Sequence, residues 1–241
     1  MLHKTRGIIL KTTTFSESSV VVQMFTEKFG IQSYIINGVK KSRAKISMNM
    51  LQPLHLVDMV VYHKNNSGVQ RISELRPSPV FTSIPYDIIK STIIQFLNEV
   101  LYKSIRQQMA DENLFNFIFN AVSWFDESKD ANTNYHLTFL LKLTRFLGFS
   151  PSLETKSDSS FFDLQEGELK SNRPPHLNFL EKHEADLFLL LFTVPFEKIN
   201  EIKIANKTRR YLLDKILVYY TLHTASFGEI KSHQVLEEIL S

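Results

Sequence analysis

The chain has no cysteine. That excludes disulfides and any thiolate zinc centre, and it suits a reducing cytoplasm. Glycine is scarce, with seven residues in 241. So few leave little room for phosphate-cradling loops, and no Walker-type loop, GxSxG elbow or HExxH helix occurs. Long apolar runs are missing as well. The longest, around Leu187–Phe196, falls far short of the roughly 20 residues a membrane span needs. Met1–Leu10 carries basic residues but no apolar stretch, so no signal peptide and no membrane attachment are expected.

Catalytic and metal chemistry find little support. The eight histidines are scattered, and His176 and His183 are too far apart for one helical face and lack partner ligands. No metal or other cofactor is expected, and the purified protein should hold no stoichiometric zinc. The acidic pairs Asp126-Glu127 and Glu237-Glu238 are expected to be solvated charges at helix ends or on exposed faces. Nothing in the sequence asks for an enzyme.

What is present is an uneven distribution of charge. The formal net charge is only +3, but residues 1–80 carry +7 and residues 81–241 carry −4. A basic first third on an acidic remainder points to a polyanion docking on the N-terminal part; ordinary fluctuation of charge between segments is the bland alternative.

The hydrophobic period changes along the chain. Arg6–Lys11, Ser19–Phe25, Ile31–Ile36, Leu54–Tyr62 and Val69–Leu75 are short, β-rich runs separated by turn signals such as Asn65-Asn66-Ser67-Gly68. Five strands in about 75 residues fit an OB-fold barrel, with a small open sheet packed on helices as the alternative. Prolines crowd Pro77–Pro85, where the boundary between a domain at 1–80 and a domain at 81–241 is placed. Beyond it the period is helical. Apolar faces run through Ile88–Val100, Leu114–Phe125 and Leu137–Leu147, the last ended by Gly148. Ser150–Pro175 is polar and structure-poor, part of an insertion at about 150–182. Helices at Glu184–Phe192, Asn206–His223 and Lys231–Leu240 follow. The fold class expected is α+β: a five-stranded OB-fold barrel followed by an all-helical domain with a long cysteine-free insertion.

The strongest functional feature is the loop Asn37-Gly38-Val39-Lys40-Lys41-Ser42-Arg43-Ala44-Lys45, with four cations in six residues and no acid nearby. Lys40, Lys41, Arg43 and Lys45 suit phosphate contacts, which neutralise backbone charge without reading sequence. Lys4, Arg6, Lys11 and Arg71 could extend the basic surface over the barrel. A solvated turn is the alternative. Tyr34 either stacks on a base or fills the core, with core favoured.

The order of several segments carries a resemblance. Gly7-Ile8-Ile9-Leu10, Phe15-Ser16-Glu17-Ser18 leading into Val20–Phe25, and Thr26-Glu27-Lys28-Phe29-Gly30 come first. Gly38 with Lys40-Lys41-Ser42-Arg43, and Gln52-Pro53-Leu54 at the start of the fourth strand, follow. Leu147-Gly148-Phe149-Ser150-Pro151 and Phe227-Gly228 with Lys231-Ser232 and Val235-Leu236 complete the series. Together they resemble the bacterial recombination mediator RecO family over nearly the whole chain. Many relatives carry four cysteines in the insertion; here Ser152–Lys182 must hold its shape without metal or be loose.

The resemblance implies a cytoplasmic DNA repair protein that binds single- and double-stranded DNA and anneals complementary strands. It implies partnership with the single-strand DNA-binding protein SSB and with RecR, and through them with RecA. SSB ends in an acidic tail with an apolar tip. Lys142 and Arg145 lie three residues apart on one helix, beside Leu137, Leu140, Leu141 and Leu147, with Arg209 on another. These three cations are the expected holders of the tail, against the alternative that they are solvated or pair with nearby acids. The residues alone leave open an OB-fold adaptor or scaffold, and an RNA-binding OB protein without annealing activity.

Overall fold

The computed structural model describes residues 1–42, 44–64, 68–105, 109–129, 133–154 and 160–240. Five strands, β1 (Leu2–Thr14), β2 (Val20–Thr26), β3 (Gly30–Ile36), β4 (Leu56–Tyr62) and β5 (Gln70–Pro77), close into a barrel of order β1-β2-β3-β5-β4. All neighbours are antiparallel except β3 and β5, and β1 closes the barrel on β4. This is the OB-fold arrangement. Alternating residues such as Val20, Val22 and Met24 fill the interior with Ile9, Val57 and Met59. Tyr34 lies fully buried among them, and burial holds its phenol well above the usual tyrosine range.

Strand β1 reaches two neighbours because it bends. Its register with β2 shifts between Ile9 and Lys11, leaving Leu10 as the extra residue of a bulge. At Gly7, which pairs with both Thr26 and Val57, an added Cβ would stand 2.7 Å from the Met59 side chain. The Leu10 carbonyl at the bulge accepts a bond from Asn98 Nδ2 at 2.9 Å.

Asn98 belongs to α1 (Ile88–Ser104), which α2 (Glu112–Glu127) follows. Side chains of Asp87 and Asp111 cap these two helices by accepting backbone N–H bonds. The segment ahead of α1 is locked by Asp126. Its carboxylate accepts N–H bonds from Thr82, Ser83 and Ile84 at 2.7, 2.9 and 2.8 Å. Burial alone would raise the Asp126 carboxyl, but these donors bring it below the usual range. Lys90 Nζ, 1% exposed, donates to the carbonyls of Phe125, Asp126 and Ser128, so a buried ammonium closes the end of α2. The expectation that Asp126 is a solvated charge is therefore corrected: it is buried because the neighbouring backbone needs an acceptor. The change of period at Pro77–Pro85 marks where strands give way to helices. Compactness divides the chain later, into Met1–Lys129 and Asp130–Ser241.

The second unit holds α3 (Tyr135–Leu147), three short strands β6 (Phe161–Asp163), β7 (Glu168–Lys170) and β8 (Phe179–Glu181), then α4 (Lys182–Thr193), α5 (Asn206–His223) and α6 (Ser232–Ile239). Gly148 ends α3 in the left-handed conformation. The stretch Ser150–Pro175 reads as structure-poor, yet it carries β6 and β7, which join β8 in a sheet of order β7-β6-β8. Three-residue strands are too short to show a period, which is why the sequence hides them. The β6–β7 turn is built by Asp163, whose side chain accepts from the N–H groups of Gln165 and Glu166, and by Gly167 at φ +69°. Asp163 also pairs with His176 at 3.2 Å. Phe162 packs on Phe188 at 4.9 Å between ring centres, and Phe188 packs on Tyr219. Aromatic packing and turn chemistry thus shape this segment.

Candidate nucleic-acid interface

The basic loop is short, and apolar side chains fasten it at both ends. Val39 is buried in the barrel core, while Ile46, Met48 and Met50 pack against that core from the far side. Gly38 turns the chain at φ +74°. Val39 N–H donates to the Ser18 carbonyl in the β1–β2 turn at 2.9 Å, and Lys41 N–H returns to the Gly38 carbonyl. Between these anchors Lys40, Lys41, Ser42 and Lys45 are exposed. Arg43 lies outside the described residues. No Asp or Glu occurs between Glu27 and Asp58, so the loop's own stretch of chain offers no acid to neutralise it.

Two further expected cations, Arg71 and Lys11, are exposed on the barrel. Arg71 is exposed and sits opposite Ile35, two residues before the loop begins at Asn37. Lys11 is exposed beside the β1 bulge and leans on α1, its Nζ 3.2 Å from the Tyr102 hydroxyl and 4.8 Å from the ring centre.

Lys4 and Arg6 occupy a different setting. Both line a cleft of about 630 Å³ that also contains Glu27, Asp58 and Glu74. Lys4 is exposed there. Arg6 forms two bonds to the Glu27 carboxylate, at 2.7 and 3.2 Å, and one to Asn116, with its guanidinium 4.7 Å from the Phe119 ring centre. The bond with Glu27 raises the Arg6 pKa and lowers that of Glu27. Arg6 therefore serves to join β1 to α2, and in the cleft around it three acids offset all but one of the four cations Lys4, Arg6, Lys28 and Arg76.

In the second unit the three named cations all touch the protein itself. Lys142 donates to the Phe192 carbonyl at 3.3 Å; burial and neighbouring Arg145 lower its pKa. Arg145 is exposed but lies over the Phe192 ring, 4.3 Å from its centre. Arg209 is only 9% exposed and donates to Asn134, Asn206 and the Ile204 carbonyl. Of the expected apolar stripe, Leu137, Leu140 and Leu141 are fully buried in this unit's core, while Leu147 is half-buried.

Two features escaped the sequence reading. Phe15, at the tip of the β1–β2 hairpin, is 67% exposed. The same turn holds Ser18, which accepts the Val39 N–H, so an exposed aromatic ring stands at the root of the basic loop. An aromatic flanked by Thr14 and Ser16 in a turn was the available signal. The second feature is one histidine grouped with two acids. His233 and Glu237 of α6 come together with Asp214 of α5, each offering a ligand atom within 4.8 Å of the others. No helix among the described residues is long and apolar enough to cross a membrane.

Comparison with known proteins agrees with the barrel-then-helices order. The family model "Recombination protein O N terminal" matches residues 1–81, and "Recombination protein O C terminal" matches residues 85–232. The chain is 34% identical over 240 residues to the DNA repair protein RecO of Bacteroides fragilis, covering 99% of both chains. It is 34% identical over 245 residues to the DNA repair protein RecO of Flavobacterium psychrophilum, covering 100% of both. The corresponding protein of Porphyromonas gingivalis is 26% identical over 243 residues, again covering 99% of each chain. With both domain models matched in order and relatives similar from end to end, the chain belongs to the recombination protein O family.

Proposed function

We propose that this protein is a cytoplasmic, non-catalytic DNA repair mediator. On this reading it binds single- and double-stranded DNA, anneals complementary strands, and cooperates with SSB and RecR in loading RecA. The observation that carries it is the set of exposed lysines Lys40, Lys41 and Lys45 in an acid-free segment flanked by Val39, buried in the barrel core, and Ile46, packed against it. A fixed cationic ridge neutralises phosphates without having to be ordered first. Arg71, Lys11 and, at a greater remove, Lys4 extend it, while Arg6 holds the fold beneath. Phe15 supplies a π-face on which an unpaired base could stack.

Annealing follows from these properties. Two strands repel through their phosphates, and a surface that neutralises both removes that repulsion while base pairing supplies the free energy. No bond to oxygen or phosphorus has to be made, so no nucleophile or general base is required.

The test is annealing of complementary strands coated with SSB, followed with and without the protein. Faster annealing that fails when Lys40, Lys41 and Arg43 are replaced by Ala supports the reading. No acceleration, or equal acceleration by that variant, overturns it. Competition between matched ssDNA and ssRNA separates DNA from RNA as the preferred strand.

A further inference from the structure

The group formed by Asp214, His233 and Glu237 lies outside everything the DNA-binding reading uses. We propose that it is a binding site for a borderline divalent cation of the zinc type, one that clips α6 onto α5. His233 and Glu237 are four residues apart on α6, which places them on one face of the helix, and Asp214 comes from α5. Their ligand atoms all lie within 4.8 Å of one another. A zinc ion bound at about 2.0–2.2 Å from each requires those atoms to close by roughly an ångström. Half-exposed and exposed side chains make that adjustment by rotation about their own bonds.

A second observation, independent of the grouping, concerns the imidazole. His233 Nδ1 sits 2.6 Å from the carbonyl of Ile230. The carbonyl can only accept, so we assign the proton to Nδ1, which leaves the lone pair on Nε2. This is the arrangement by which proteins orient a metal-binding histidine: the far ring nitrogen donates to a backbone carbonyl and fixes the tautomer. The donor set also selects the ion. One imidazole and two carboxylates suit zinc, whereas magnesium and calcium prefer oxygen alone. Two negative charges against a divalent cation leave the site neutral. Three protein ligands leave the fourth tetrahedral position to water.

The site has a mechanical use. Helix α6 has eight residues and buries only Leu236 fully, while Val235 is about half exposed and Ile239 about a third. Its apolar hold is weak for its length. Arg210 of α5 donates to the Glu237 carbonyl at 3.1 Å and so sets α5 and α6 side by side. A cation joining both helices adds a cross-link where hydrophobic burial is least. Two of the three ligands lie beyond residue 232, where the family-model match ends, so the site is read from this chain's residues. It also revises the expectation, drawn from the absent cysteines, that the protein holds no zinc.

The experiment uses the full chain, stripped with chelator and titrated with Zn²⁺ in a calorimeter, with thermal unfolding measured alongside. One ion per chain is expected, and a rise of several degrees in Tm at a hundredfold excess over Kd. Replacing His233→Ala should weaken Zn²⁺ binding at least tenfold and abolish the Tm rise, and Asp214→Asn should do the same to a smaller degree. The control His183→Ala removes an exposed histidine beside Glu184 and should change neither reading. Circular dichroism of each metal-free variant verifies that it is folded. If a variant has lost α6, Co²⁺ bound to the wild-type chain supplies the second measurement: a tetrahedral cobalt spectrum supports the site. Absence of zinc uptake by the wild type, or uptake undiminished in folded His233→Ala, overturns it.

Discussion

The cations of the barrel loop and those of the second unit carry the same charge but are held in opposite ways. Lys40, Lys41 and Lys45 stand exposed on a loop whose apolar ends are buried, and no acid occurs in their stretch of chain. Lys142 and Arg209 instead turn back to carbonyls and amides, and Arg145 covers an aromatic ring. Within the first unit the same contrast separates the loop from Lys90, which is buried against three carbonyls. A count of basic residues therefore says little about ligand binding. What matters is whether the protein already supplies the charge with partners, because a cation with internal partners must give them up before it can bind a phosphate.

The sharpest way to break this contrast is to remove an internal partner. Asp126→Ala leaves the N–H groups of Thr82, Ser83 and Ile84 without their acceptor. Ile84 is buried, Ser83 half-buried and Thr82 exposed. A buried donor left unmet costs about 1–3 kcal/mol and a more exposed one less, so a stability loss of roughly 3 kcal/mol is expected in denaturant titration, together with unchanged salt dependence of DNA binding in the folded fraction. The acid limb of the stability curve reports the same carboxylate. Its folded pKa is lowered, so its contribution is complete above the unfolded value near 3.9 and disappears as pH falls through the folded value. The variant should show a flatter stability curve in that window. Equal curves for the two proteins would deny Asp126 this part.

Next in size is the loop itself. Replacing Lys40, Lys41 and Arg43 by Ala should weaken DNA binding on the order of a hundredfold at physiological salt and reduce the salt slope by about one unit per lost phosphate contact. Tm should stay where it was, since the exposed lysines have no internal partners to lose. An unchanged slope would move the interface elsewhere on the barrel. Phe15→Ala should have a smaller effect, about tenfold on single strands and little on duplex, because only an unpaired base presents a free face for stacking. Fluorescence of a base analogue in the strand reads this directly; equal loss on duplex would make Phe15 a fold residue instead.

Much of the barrel was legible because its signals are local and repeated. Val20, Val22 and Met24 alternate inward as the sequence pattern predicts, and the helix at Asn206–His223 begins and ends where its period does. The loop was legible because its cations are consecutive. The rest depended on partners distant in sequence. Nothing near Arg6 announces Glu27 or Asn116, 21 and 110 residues away. Asp126 looked like half of a solvated acidic pair because its donors sit more than 40 residues earlier. Asp214, His233 and Glu237 were hidden for the same reason: only His233 and Glu237 share a helix, and that spacing alone is common. The small sheet in the insertion failed differently, since three residues are too few to display a period of two.

The smallest expected effect concerns the acidic tail of SSB, and it tests whether any cation of the second unit keeps enough freedom to bind a ligand. Arg209 is engaged by the fold: its guanidinium is buried and bonded to Asn134, Asn206 and Ile204, so Arg209→Ala should lower stability rather than peptide affinity. Lys142 is half-buried and bonded to the Phe192 carbonyl. Arg145 is the exposed member of the set, and its contact with Phe192 fixes the guanidinium without using up its hydrogen-bond donors. With Leu137, Leu140 and Leu141 buried in the core, the half-buried Leu147 of the same stripe and the half-buried ring of Phe196, 5.8 Å from Lys142 Nζ, are the apolar surfaces at hand for the tail's tip. Charge reversal by Arg145→Glu should then weaken a synthetic tail peptide about fivefold in calorimetry, the scale of one exposed ion pair lost, and the difference should shrink as salt is added. Unaltered affinity in a folded Arg145→Glu protein would leave the second unit's basic residues as supports of the fold and confine ligand-binding charge to the barrel.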